Sequence, residues 1–240
     1  MTTVVDRAEW RTDRPIFMAM FAVMALTITA GFASSGRGYH YDYGRLPGLL
    51  QLHAAVMATW VLLLMVQCGL VVSGSVALHR RLGWIGAAAA AAIVALGIAA
   101  TFYVEATNQV PSFFPKSIFL MMNLLAMLAF GALIGAAVRL RNQPDWHKRL
   151  MLTACVVVVT PALGRLLPMD AFGAAAPLVL FAVAFAYLAV GMLYDLIARR
   201  RVHPAYAWGA GVFIGSQLLT PLIAFSPLGM AATAMLTSRP

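Results

Sequence analysis

From Leu82 to Val104 the chain runs for 23 residues without a charged side chain. About 20 apolar residues in a helix span the hydrocarbon core of a bilayer, so a run of this kind commits its chain to a membrane. Six further runs repeat it. The spans read as 16–34, 49–73, 82–104, 117–138, 150–168, 172–194 and 204–226. The fifth is the weakest, because Arg165 interrupts it near its end. The runs are too long for strands and lack the alternation of barrel segments. Only 10% of residues are charged, against roughly 25% in soluble domains, which is too few to coat a water-facing surface. The expectation is one integral all-α domain over 1–240, a bundle of seven transmembrane helices. LPG at 46–48, PSFFP at 111–115 and HP at 203–204 punctuate the connections. Pro161 predicts a kink in the fifth helix, and the alanines at 87–92 predict a close packing face.

The net charge of +9 does not indicate a nucleic-acid partner, because the cations sit in short clusters between apolar runs. With the N-terminus inside, one side holds Arg7, Arg11, Arg14, Arg80, Arg81, Arg139, Arg141, Lys148, Arg149, Arg199, Arg200 and Arg201. The other holds Arg37, Arg45, Lys116, Arg165 and Arg239. Positive charge is retained on the cytoplasmic side, so the pattern predicts N-in and C-out in a bacterial inner membrane. Trp84, Trp146 and Trp208 fall at the inner boundary, where interfacial anchors belong. No cleavable signal peptide is visible. Cys68 and Cys155 lie in apolar runs without ligand or disulfide spacing, and read as packing residues.

Polar residues inside a membrane are costly and face the bundle or a cavity. His53, Trp60 and Gln67 are each seven apart, and a straight helix drifts only about 20° per heptad, so they share one face. Met57 joins it one turn after His53. Tyr187 with Tyr194, Thr153 with Thr160, and Lys116 with Asn123 repeat the spacing. These stripes predict a polar seam, serving either interhelical hydrogen bonding or a ligand cavity. An outer layer of His53, Glu105, Lys116, Arg165 and Asp170 adjoins Tyr41 and Asp42. Arg165 facing lipid would be expensive, so it is expected to pair with Glu105, Asp170 or an anionic ligand.

An inner layer holds His79, Arg80, Arg81, His147, Lys148, Arg149 and His203. Three uses fit it: anchoring anionic lipid headgroups, binding a phosphate or carboxylate ligand, or ligating haem. In the last, His79 and His147 are the axial metal ligands and Arg80, Arg81, Lys148 and Arg149 neutralise the propionates. The segments HRRLGW at 79–84 and HKRLM at 147–151 echo one another at the start of outward-going helices. Common enzyme signatures are absent: no H-E-x-x-H, C-x-x-C, P-loop or G-x-S-x-G. No two His stand at i, i+3 or i+4, so no single helix supplies a paired metal site. Neither Lys116 nor Lys148 lies mid-membrane in the last helix, which argues against a retinal Schiff base.

LHAAVMATW at 52–60 followed by HRRLGW at 79–84 resembles the ascorbate-reducible b-type transmembrane cytochromes. That resemblance implies haem b held by histidines on successive helices. The family uses two haems, whereas His53 has no helical His partner at its depth and His40 lies in a loop, so one haem is readily drawn; Met121 or Met122 is a substitute ligand. Over residues 50–200 the chain also resembles uncharacterised bacterial multi-pass membrane proteins with HRRLGW and HKRLM loops and a later PALGR, a resemblance that implies no activity. The leading expectation is an inner-membrane redox protein handling electrons through haem b or a bound quinone. His79 and His147 serve as ligands, and His53, Met57, Trp60, Gln67, Glu105 and Arg165 line an outer site. Alternatives are a transporter or small-ligand binding protein using the seam, or an accessory subunit of another membrane complex.

Overall fold

Most helices begin or end beyond the apolar run that announces them, because hydropathy marks the buried stretch rather than the hydrogen-bonded one. The computed structural model describes residues 13–38 and 46–237. The order is α1 (Arg14–Gly38), α2 (Gly48–Val72), α3 (Val76–Ala106), α4 (Lys116–Arg139), α5 (Pro144–Leu166) and α6 (Met169–Phe172). After a 3-10 turn, Gly173–Ala175, come α7 (Ala176–Arg199), α8 (Pro204–Ala224) and α9 (Pro227–Thr237). Seven of these segments are long and apolar enough to cross a membrane, and the protein is a multi-pass membrane protein. Pro47 and Pro115 cap α2 and α4. Pro144 and Pro204 occupy the first turns of α5 and α8, where the missing N–H leaves no bond unmade. The short apolar helix α9 was not expected; it packs on α3, α4 and α8.

Helix α5, the least apolar candidate in sequence after α8, is the hub. It packs against α1, α4, α7 and α8, and every residue from Leu152 to Val159 is buried. A helix surrounded by protein needs no lipid-facing apolar surface, so its mean hydropathy falls to 1.5 while α2 and α7 reach 2.3. Small side chains let neighbours close on it. A Cβ on Gly31 would stand 2.5 Å from the Ala162 carbonyl oxygen, and one on Gly209 2.6 Å from Thr153 Oγ1. The helix continues through Pro161 to Leu166.

Helices α2 and α3 pack on each other and join the rest through α1 and α4. Among the alanines at 87–92, Ala90 is buried, Ala87, Ala89 and Ala92 are half-buried, and Ala88 and Ala91 are exposed. Cys155 is buried in the core and Cys68 partly so; both are free thiols.

Candidate functional site

The starts of α1, α3, α5 and α8 meet the ends of α2, α4 and α7 at one end of the bundle, here the basic end. Two arrangements share it. The first is a network of three cations and three carboxylates. Arg149 and Asp195 are both 0% exposed. Arg149 Nε donates to Asp195 Oδ2 at 2.8 Å, and Nη2 donates to Asp195 Oδ1, a bidentate pair. Arg149 Nη1 donates to Asp145 Oδ1 at 2.9 Å and to the Asp145 carbonyl at 3.0 Å. Lys148 Nζ reaches Asp13 Oδ2 at 2.7 Å and Asp145 Oδ1 at 2.8 Å. Arg199 pairs with Asp13 and, at 3.1 Å, with Asp145. Tyr194 donates to Asp13 Oδ1 at 2.7 Å, and the His203 amide donates to Asp195 Oδ2 at 3.1 Å.

Aromatic rings close this clasp. The Arg149 guanidinium lies 5.5 Å from the centre of Phe17 and 5.6 Å from that of Tyr206. Gly191 leaves room for Tyr206, whose hydroxyl occupies the place a Cβ would take. Burial pushes the Asp13 carboxyl up, but hydrogen bonds from Lys148 and Tyr194 and the charges of Lys148 and Arg199 outweigh it, holding the group below the usual carboxylate range. Burial, with the nearby Arg149 charge, lowers His203. Its Nδ1 accepts from the Ala205 amide at 3.1 Å and caps α8. Lys148 and Arg149, expected on haem propionates, are therefore engaged by carboxylates, whereas Arg80 and Arg81 are exposed.

The second arrangement is the histidine pair. His79 lies in the first turn of α3 and His147 in the first turn of α5, both inside helices rather than loops. Their ring centres are 6.1 Å apart with planes at 80°. His147 Nδ1 is 2.8 Å from the Ala137 carbonyl oxygen. A carbonyl only accepts, so Nδ1 carries the proton and Nε2 the lone pair. His79 Nδ1 is buried and has no hydrogen-bond partner. The Gln67 backbone reaches the His79 ring, while Gln67 Oε1 is buried without a partner. Its Nε2 borders Gly83, one turn beyond His79 on α3.

The seam on α2 faces the bundle as its spacing implies. Trp60 is buried edge-on to Phe130, with centres 5.4 Å apart. Met57 packs on the core. His53 and Met127 both border Gly97 on α3. His53 Nδ1 is buried without a partner. Tyr187 and Tyr194 turn toward α1, where the Tyr187 hydroxyl meets Thr27 Oγ1 at 2.8 Å. Lys116 donates to Asn108 Oδ1 at 2.5 Å.

The expected pairing of Arg165 with Glu105 or Asp170 does not form. Arg165 donates to the Pro161 carbonyl at 2.8 Å, and its guanidinium lies 4.3 Å from the centre of Phe32. A helix position that lets the side chain bond its own preceding turn and stack on α1 does not bring it to the end of α3. Glu105 is 0% exposed, and neither carboxyl oxygen has a hydrogen-bond partner. The Leu120 backbone and Lys116 act on it from α4, yet neither closes to a hydrogen bond or an ion pair. Asp170 is exposed. His40, Tyr41 and Asp42 lie outside the described residues.

Sequence reasoning missed Asp13, Asp145, Asp195 and Arg199. Asp145 stands four before Arg149, and Asp195 four before Arg199, the i, i+4 spacing of helix ion pairs, which was the available signal. Two surface hollows of about 390 and 280 Å³ flank Trp208, and neither is lined by any expected site residue. Among the described residues no three of His, Cys, Asp and Glu stand close enough to hold a metal ion. The chain matches no known family model, no curated protein and no solved structure, so both resemblances rest on the quoted residues alone.

Proposed function

We propose that this is a membrane redox protein whose basic end takes a haem b, with His79 and His147 as the residues that would hold it. The observation that carries the reading is the pair of imidazoles 6.1 Å apart between ring centres. Two imidazoles bound to one metal ion through bonds of about 2 Å would stand at a similar spacing. His147 has the hydrogen bond to a backbone carbonyl that orients a ligating imidazole, and the enclosed Nδ1 of His79 lacks any other partner. Two ligands suffice where a macrocycle supplies the equatorial four; a bare zinc site takes three or four from the protein. A haem so held supplies one-electron transfer. Arg80 and Arg81, not Lys148 and Arg149, are the cations left for propionates.

The basic end is assigned to the cytoplasm of a bacterial inner membrane on the Lys and Arg distribution. Trp84 and Trp208 are 59% and 68% exposed at that end, which suits contact with lipid headgroups. Electrons would be exchanged with a quinone or a neighbouring membrane protein.

An absorption spectrum of the purified protein tests the reading. The expected result is a Soret band that shifts on reduction and is lost in His79→Ala and His147→Ala, with the helical fold retained. A colourless preparation that also fails to take up added haem overturns it. Reporter fusions at the N-terminus are expected to read cytoplasmic in the same strains. A second reading, a small-ligand binding or transport protein, is favoured by the partnerless atoms along the seam, His53 Nδ1, Gln67 Oε1 and the Glu105 carboxyl.

A further inference from the structure

Gly97, Thr101 and Glu105 succeed one another at four-residue intervals on α3, and so share one face. All three are buried. At one end of this column stands the imidazole of His53, against Gly97. At the other is the Glu105 carboxyl, which is 0% exposed with two partnerless oxygens. Between them the Thr101 hydroxyl donates to the Gly97 carbonyl at 2.8 Å, and its oxygen keeps its lone pairs as acceptors. A buried carboxylate with no hydrogen-bond partner is among the costliest groups a protein can bury. It persists only if something neutralises it.

We propose that Glu105 is a proton-binding site, and that Glu105, Thr101 and His53 form a lane by which a proton enters the seam from the end of the bundle opposite the histidine pair. A proton needs one oxygen atom. A metal cation needs several oxygen ligands, and among the described residues no group of three His, Cys, Asp or Glu side chains gathers at Glu105. The elements packed on α3 bring few charges to the lane. Helix α2 brings His53, and α4 brings Lys116, which acts on Glu105. Arg165 of α5 acts on His53, and α9 has no titratable side chain. The carboxyl therefore gives up its proton to the lane rather than to a fixed partner, with the free imidazole nitrogen of His53 as the acceptor at the far end. This inference goes beyond the haem reading and does not require it.

Infrared difference spectroscopy of the full-length protein in lipid nanodiscs tests it, whether or not the preparation is coloured. The expected result at neutral pH is a protonated-carboxyl band that is lost in Glu105→Gln, returns in Glu105→Asp, and shifts when the bulk water is replaced by D2O. His53→Gln is expected to keep the band and slow its exchange several-fold. Circular dichroism checks the fold of each variant. Absence of the band in the folded wild type overturns the proposal. So does a band that never exchanges, which makes Glu105 a sealed structural acid. A band abolished by added sodium or potassium assigns the site to a cation and also overturns it.

Discussion

The two flanks of this bundle treat buried polar groups in opposite ways. Around α1, α5, α7 and α8, Arg149, Lys148 and Arg199 are matched by Asp13, Asp145 and Asp195. On α2 and α3, His53, Gln67, His79 and Glu105 each keep at least one enclosed polar atom with no partner. The first flank holds most of the buried charge and the second most of the unmet hydrogen-bonding capacity, the buried Tyr206 hydroxyl of α8 being an exception on the first. Matched charges tie helices together and leave nothing for a ligand to satisfy. Unmatched ones cost free energy in the ligand-free fold, and are regained only when something binds. Cation density, which drew attention to Lys148 and Arg149, thus marks a fastener, whereas the unmet polar atoms of the other flank lie on sparser histidines, a glutamine and one glutamate.

The sharpest way to break this contrast is to remove one member of the clasp. Arg149→Met leaves Asp195 buried without its partner, and is expected to cost about 3–5 kcal/mol, seen as a large drop in thermal stability in detergent. Arg149→Met with Asp195→Leu is expected to recover much of that loss. A single variant as stable as the wild type would make the clasp ornamental.

The pH response comes next. A carboxyl held below its usual range stabilises the fold above its unfolded pKa, near about 3.9 for Asp, and that stability is lost as the pH falls through the folded value. Asp13 is held down in this way. Melting followed from pH 7 downward is expected to show stability falling in the acid range, and Asp13→Asn to be less stable at pH 7 with a flatter acid limb. Equal acid limbs would remove Asp13 from the account.

The smallest effect is expected on the other flank. In cofactor-free protein, His79→Leu is expected to change stability by no more than about 1 kcal/mol, and toward greater stability, because an unmet buried nitrogen is removed. A loss as large as that of Arg149→Met would show His79 to be a structural residue and erase the distinction between the flanks.

Much of the fold is legible along the chain, because a membrane span is a local property: about 20 apolar residues. The seven long helices and the inward face of His53, Trp60 and Gln67 follow from that and from the heptad. The hub role of α5 does not, because burial within a bundle lowers the need for apolar side chains, and Arg165 made the hub read as the weakest span. Helix starts also escape: Val76 and Pro144 begin α3 and α5 well before the apolar runs, so His79 and His147 fall within first turns that hydropathy does not mark. The clasp is least legible of all. Arg149 and Asp195 are 46 positions apart, and Asp13 and Arg199 are 186 apart. No local pattern links them, and Arg165 shows that choosing a partner by charge and depth alone can fail.

That separation has a consequence for how the protein is made. Asp13 leaves the ribosome 186 residues ahead of Arg199, which at about 5–20 residues per second is an interval of roughly 10–40 s. Throughout it the first helix is already in place while two of its fastening groups, Tyr194 and Arg199, have yet to be translated. The first helix is thus a waiting component. The contact of Gly31 with the backbone of α5 needs only residues up to Ala162, whereas the pairing of Asp13 with Arg199 must wait for the end of α7.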